Sequence, residues 1–99
     1  MGINKAMVNA IVLCVIDNIN LDGDPIFVRS LRSCKARVGE TKHWYILQSY
    51  GTVVAAIDKQ SGYLYDFLRY VYGYSAISAQ HISKFAVDYH ATQRYTYRP

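Results

Sequence analysis

Apolar and polar positions along the chain fall into stretches with different periods. From about residue 4 to 19 nearly every position is apolar: Ala6, Met7, Val8, Ala10, Ile11, Val12, Leu13, Cys14, Val15 and Ile16. A continuous run of this kind cannot be assigned by period alone. Its length and its alanines favour a buried helix, while β-branched Ile11, Val12, Val15 and Ile16 keep a central strand open. Either element places the segment fully in the core. Residues 18–25 are rich in Asn, Asp and Gly and read as a turn. Asp24-Pro25 then has the chemistry of a helix start: a carboxylate to cap free N–H groups, and a proline where no N–H is needed. Phe27, Leu31, Cys34 and Val38 follow at spacings of four, three and four, with Arg29, Arg32 and Ala36 opposite. The spacing predicts a second helix over 25–38, closed by Gly39 in a left-handed cap.

From His43 the period becomes two. Trp44, Ile46 and Gln48 alternate with Tyr45, Leu47 and Ser49, and 52–57 is rich in β-branched and small residues. Tyr50-Gly51 suits a tight connection between them, and Asp58 to Gly62 is a strong turn signal. Tyr63, Tyr65 and Phe67 then share one face of a strand, and Tyr70, Tyr72 and Tyr74 alternate again. These segments predict a three-stranded antiparallel meander. Ser75 is placed to cap a final helix whose apolar stripe is Ala79, Ile82, Phe85, Ala86 and Tyr89, with Gln80, His81, Ser83, Lys84 and Asp88 facing away. The end of the chain, 92–99, reads as a late edge strand or a flexible basic-aromatic arm. The fold class is α+β: about three antiparallel strands packed by two or three helices, in a single domain over 1–99. Ninety-nine residues leave no room for two cores.

Composition adds one outlier. Tyrosine supplies 10 of the 14 aromatic residues. Net charge is +4, concentrated in Arg29, Arg32, Lys35, Arg37 and Lys42, which favours acidic partners or phosphate and excludes an acidic mimic of DNA. Cys14 and Cys34 show no ligand spacing and are expected to be free, buried thiols in a reducing compartment. The apolar run near the start lacks a small-residue cleavage site and is too short for a membrane span. Position 6 is Ala6, which does not fit N-myristoylation. A soluble, cytoplasmic protein is expected.

The chemistry-bearing candidates are few. Tyr63, Tyr65, Tyr70, Tyr72 and Tyr74, with Arg69, Arg94 and Arg98 nearby, would suit a stacking platform for single-stranded nucleic acid. The same composition suits a protein interface, and alternating aromatics also suit a half-buried strand. A basic face of Arg29, Arg32, Lys35 and Arg37 would sit against phosphates without reading bases. His43, His81 and His90 each stand alone, and no carboxylate pair, phosphate loop or serine elbow is present. No catalytic residue, metal or cofactor is therefore expected.

Ser49-Tyr50-Gly51-Thr52, Val54-Ala55, Tyr74-Ser75, and then His81-Ile82 and Phe85 form a recognisable pattern. It resembles a family of small uncharacterised proteins of bacteriophages and mobile elements, with SYxTxVA, then YSxTT, then a helix carrying HIxxF. The resemblance covers 44–89. Ile77 and Ser78 depart from the family's Thr-Thr, and the stretch from Tyr63 to Tyr74 is longer and more aromatic. It implies a mobile-element origin and no chemistry. The expected function is an accessory protein that binds and blocks a host protein or nucleoprotein complex through an acidic patch or nucleic-acid channel. An anti-defence inhibitor such as an anti-CRISPR protein is its concrete form. The alternative is a nucleic-acid-binding accessory protein using the basic helix and the tyrosines. A strand carrying Tyr70, Tyr72 and Tyr74 would also offer an edge for pairing two copies.

Overall fold

The computed structural model describes the backbone of residues 5–31, 33–71 and 76–96, and their side chains except at 5–12, 28, 33, 34, 70 and 71. The apolar run forms helix α1 (Lys5–Leu21). It is not fully buried. Val15 and Ile19, one turn apart, pack on the sheet with Ile16 beside them, whereas Leu13, Cys14 and Leu21 are exposed. A helix lying on one face of a sheet buries one stripe only, and the opposite side meets water. The expected buried thiol at Cys14 is thus an exposed one; the side chain of Cys34 lies outside the described residues.

The predicted helix over 25–38 is a β-hairpin: β1 (Ile26–Leu31) and β2 (Ser33–Glu40), antiparallel. Its helical stripe coincided with an equally good strand alternation, in which Ala36 and Val38 are buried while Lys35 and Arg37 are exposed. Pairing of β2 with the next strand decides between the two. Pro25 stands before an edge strand, where a missing N–H costs nothing. Gly39 is no cap, because its φ is not positive. It lies under the Phe27 ring, where an added Cβ would come within 3.0 Å of Pro25 and 3.2 Å of that ring.

The rest of the sheet follows the alternation seen in the sequence. β3 (Trp44–Ser49) and β4 (Thr52–Asp58) are joined at Tyr50 (φ 51°) and Gly51 (φ 82°), the left-handed pair a two-residue hairpin turn requires. A bulge after Leu47 lets Val54 and Ala55 both face the core. The Asp58 carboxylate accepts from the backbone N–H groups of Gln60 and Ser61 to close the next turn into β5 (Tyr63–Asp66).

After β5 the expected strand through Tyr70 is replaced by one helical turn, α2 (Leu68–Val71). Asp66 accepts from the N–H of Leu68 at 3.0 Å, a side-chain cap that ends the strand there. Helix α3 (Ala76–Asp88) runs back along the sheet, and β6 (Gln93–Thr96) adds beside β5 in parallel. Ser75, the expected cap of α3, lies outside the described residues. Among the described residues the sheet has six strands in the order β1-β2-β3-β4-β5-β6, twice the number expected. The late edge strand is the reading realised for 93–96.

Two cores result. Ile82 and Phe85 of α3 meet Leu47, Ile57 and Leu64 on one face, and α1 meets Trp44, Ile46, Ala56 and Phe67 on the other. No described helix is long and apolar enough to cross a membrane.

Candidate functional site

Period-two alternation on β5 puts Tyr63 and Tyr65 on the α1 face of the sheet and Leu64 in the α3 core. The parallel register sets Tyr95 of β6 opposite Tyr65. The three rings form one cluster: Tyr65 and Tyr95 stack at 5.2 Å and 14°, and Tyr63 lies tilted against Tyr95 at 5.6 Å. Trp44 meets Tyr65 edge-on at 6.0 Å and fixes its inner side. Tyr95 remains 37% exposed at the sheet edge. Burial, with help from the neighbouring Tyr95 and Asp58, pushes the Tyr65 phenol up from its ordinary value. The Tyr65 ring therefore stays neutral at physiological pH. Tyr95 belongs to the cluster although strand pairing, which the chain's own pattern does not reveal, is what brings it there.

The basic residues are not gathered with it. Arg29 points to the α3 face, 2.9 Å from Asp88 and 5.7 Å over the Tyr89 ring. Asp88 also takes Lys84 at 3.0 Å, and these cations hold its carboxyl below the usual range. Arg37 lies 4.4 Å over Phe27 and donates to Gln48 at 2.7 Å. Arg94 alternates with Tyr95 and so faces the α3 side, donating to Asp66 at 2.7 Å. Lys35 and Arg69 are exposed on β2 and α2. The single basic helix face expected of Arg29, Arg32, Lys35 and Arg37 does not form: Arg29 on β1 pairs with Val38 and shares its face, whereas Lys35 and Arg37, two apart on β2, share the other. Arg32, Tyr72, Tyr74 and Arg98 lie outside the described residues. Tyr70 is in α2, so the edge strand expected to carry it for self-pairing is not formed there.

Two polar clusters escaped the sequence reading. His81, expected on the polar face of α3, is 5% exposed. Its Nδ1 lies 3.0 Å from the hydroxyl of Ser49, which is 2.9 Å from that of Ser78. A serine within reach of a histidine is the geometry of an activated nucleophile. Ser49 is 0% exposed, however, and a substrate has no approach to it in this conformation. The network instead ties the β3–β4 turn to α3, with the Tyr50 ring 6.2 Å from that of His81. It brings together Ser49 and His81 of the two motifs and Ser78, where the family pattern has Thr.

The second cluster joins the end of α1 to the loop before β3. Asp22 accepts from Thr41 Oγ1 and from the His43 N–H, both at 2.8 Å, and lies 2.7 Å from His43 Nδ1. These bonds, that of His43 first, hold its carboxyl at about 2. Beside it Trp44 and Asp58 line an open pocket of about 590 Å³ of mixed charge. Lys59, on its wall, is paired with Glu40 at 2.9 Å. Among the described residues no group of three or more His, Cys, Asp or Glu is placed to hold a metal ion.

No family model matches this chain, and no curated protein or solved structure matches it. The resemblance over 44–89 thus rests on its motif residues.

Proposed function

We propose that the chain is a non-enzymatic accessory protein of a phage or mobile element that acts by binding and blocking a host macromolecule. An anti-defence inhibitor, such as an anti-CRISPR protein, is the concrete form. The observation that carries this reading is the Tyr63–Tyr65–Tyr95 cluster, held by Trp44 and open at the sheet edge. Tyrosines on a rigid element give large contact area at low entropic cost, the chemistry of interface hot spots. The origin in a mobile element is supported by the motif of 44–89.

The alternative, a nucleic-acid-binding accessory protein, needs cations beside the stacking rings. Arg29 and Arg94 are instead turned to the opposite face and paired with carboxylates. That placement favours a protein partner. A pull-down from bacterial host lysate, with and without nuclease, separates the readings. A stoichiometric complex with one host protein that survives nuclease, and is lost in the Tyr95→Ala variant, is the expected result. Recovery of nucleic acid alone, abolished by nuclease, would give the alternative its place.

A further inference from the structure

The sheet ends in two edges, β1 and β6, and they are guarded differently. At β1 the register is irregular between Phe27 and Arg29 and again between Ser30 and Leu31. Arg29 there reaches across to Asp88 of α3. Bulges, charges and a covering helix are what keep an edge from pairing with another chain. β6 has none of these. Its register against β5 runs unbroken from Gln93 to Thr96, and its one charge, Arg94, is taken up within the sheet by Asp66. Gln93, Arg94 and Tyr95 are exposed, and among the described residues no strand lies beyond them. The N–H of Thr92, just before β6, donates to the Gly62 C=O at 2.9 Å, just before β5. Successive residues of a strand turn their main-chain groups to opposite sides, so Arg94 and Thr96 also face β5. Gln93 and Tyr95 therefore turn their N–H and C=O groups outward, away from the sheet. The same two residues carry their side chains on the tyrosine face, where the Tyr95 hydroxyl donates to Gln93 Oε1 at 3.3 Å.

Outward N–H and C=O groups on alternate residues are satisfied together by one thing, another backbone at strand spacing. We infer that β6 takes an extended segment of the partner protein as a further strand. Its main chain bonds to Gln93 and Tyr95, and its residue beside Tyr95 lies on the same face as the ring, about 5 Å away. That residue is aromatic or large and aliphatic, because it covers the side of the Tyr95 ring that Tyr65 leaves open. Arg94, on the other face and held by Asp66, presents no free charge to the segment. This rests on the reading of the cluster as a protein-binding surface and names how that surface engages its partner. A strand of four residues spans about 13 Å. Two copies joined along so short an edge bury well under the roughly 1,200 Å² of a stable interface. The occupant is therefore a short segment of a different protein, not a second copy of this chain.

The test selects a phage-displayed library of random dodecapeptides on the full chain and measures the tightest synthetic peptide by fluorescence anisotropy. A semisynthetic chain carrying a methyl group on the Tyr95 amide nitrogen keeps every side chain and blocks one outward donor. Its urea midpoint is expected to match the parent's, since that N–H has no partner in the free chain, while peptide affinity falls about tenfold or more. Tyr95→Leu, which keeps the main chain but removes the ring, is expected to weaken the peptide about threefold. On binding, hydrogen exchange should slow at the N–H groups of Gln93 and Tyr95. A library without a binder, or a peptide indifferent to N-methylation, would overturn the inference. So would a dimer in analytical ultracentrifugation that N-methylation dissolves, because a second copy would then hold the edge. If the nuclease-resistant host complex is lost in Tyr95→Ala but survives N-methylation, strand addition falls and the tyrosine surface stands. If that complex is indifferent to both changes, both fall.

Discussion

Replacing Arg94 by methionine removes a guanidinium from Asp66 while keeping most of the aliphatic length along β6. The Asp66 side chain is 6% exposed, and its two oxygens have separate tasks. Oδ1 accepts from the N–H of Leu68 and starts α2; Oδ2 accepts from Arg94 at 2.7 Å and ties β6 to β5. Loss of Arg94 strands a buried carboxylate oxygen. Breaking a fully buried pair costs about 3–5 kcal/mol, and a charge-assisted hydrogen bond contributes about 1.5–3 kcal/mol. Arg94 itself is 41% exposed, so water can enter where the guanidinium was, which puts the cost near the lower figures, about 2 kcal/mol. In a domain of this size that lowers Tm by roughly 8–16 °C. Urea denaturation followed by the fluorescence of Trp44, the single tryptophan, measures it away from the site of change. Asp66→Asn keeps the acceptor for Leu68 and is expected to cost about 1 kcal/mol. The double variant should be less destabilised than the sum of the singles by about 1 kcal/mol. Arg94→Met within about 0.5 kcal/mol of the parent, or strict additivity of the two changes, would show that the pair does not fasten β6.

Three further outcomes follow from single positions. His90 (φ 55°) is the left-handed residue after α3, where Ala91 N–H reaches Ala86 C=O and His90 N–H reaches Val87 C=O, so His90→Gly should stabilise by about 0.5–1 kcal/mol in the same urea assay. Gly39→Ala should destabilise by about 1–3 kcal/mol, because its Cβ would meet Pro25 and the Phe27 ring. Asp22 is depressed from 3.8 to about 2, so its contribution is complete above pH 4 and is lost as pH falls from about 4 through 2. The urea midpoint should fall over that window, and Asp22→Asn should flatten that part of the profile.

What was legible in the sequence was set by local chemistry. Tyr50-Gly51 and Asp58 to Gly62 announce their turns because left-handed glycines and a capping carboxylate act within a few residues. The alternation of Trp44 to Ser49 and the stripe of Ile82 and Phe85 reveal β3 and α3 for the same reason. The hairpin of β1 and β2 was hidden because Cys34 and Val38, four apart, fit either period, and because irregular register between Phe27 and Leu31 blurs the alternation of β1; only pairing of Ala36 to Glu40 with β3 decides. His81 reads as polar on a helical wheel, yet Ser49 and Ser78, 32 and 3 residues away, make its burial affordable through hydrogen bonds. The tyrosine face was half visible: Tyr63 and Tyr65 stand out by alternation, whereas Tyr95 joins them only through a parallel strand placed after a whole helix.

The most direct test of the tyrosine face as the working surface is the affinity of the purified chain for its nuclease-treated host partner, compared with Tyr95→Ala. A loss of about tenfold or more, with the parent's circular dichroism retained, is the predicted result. Unchanged affinity in the folded variant would contradict it.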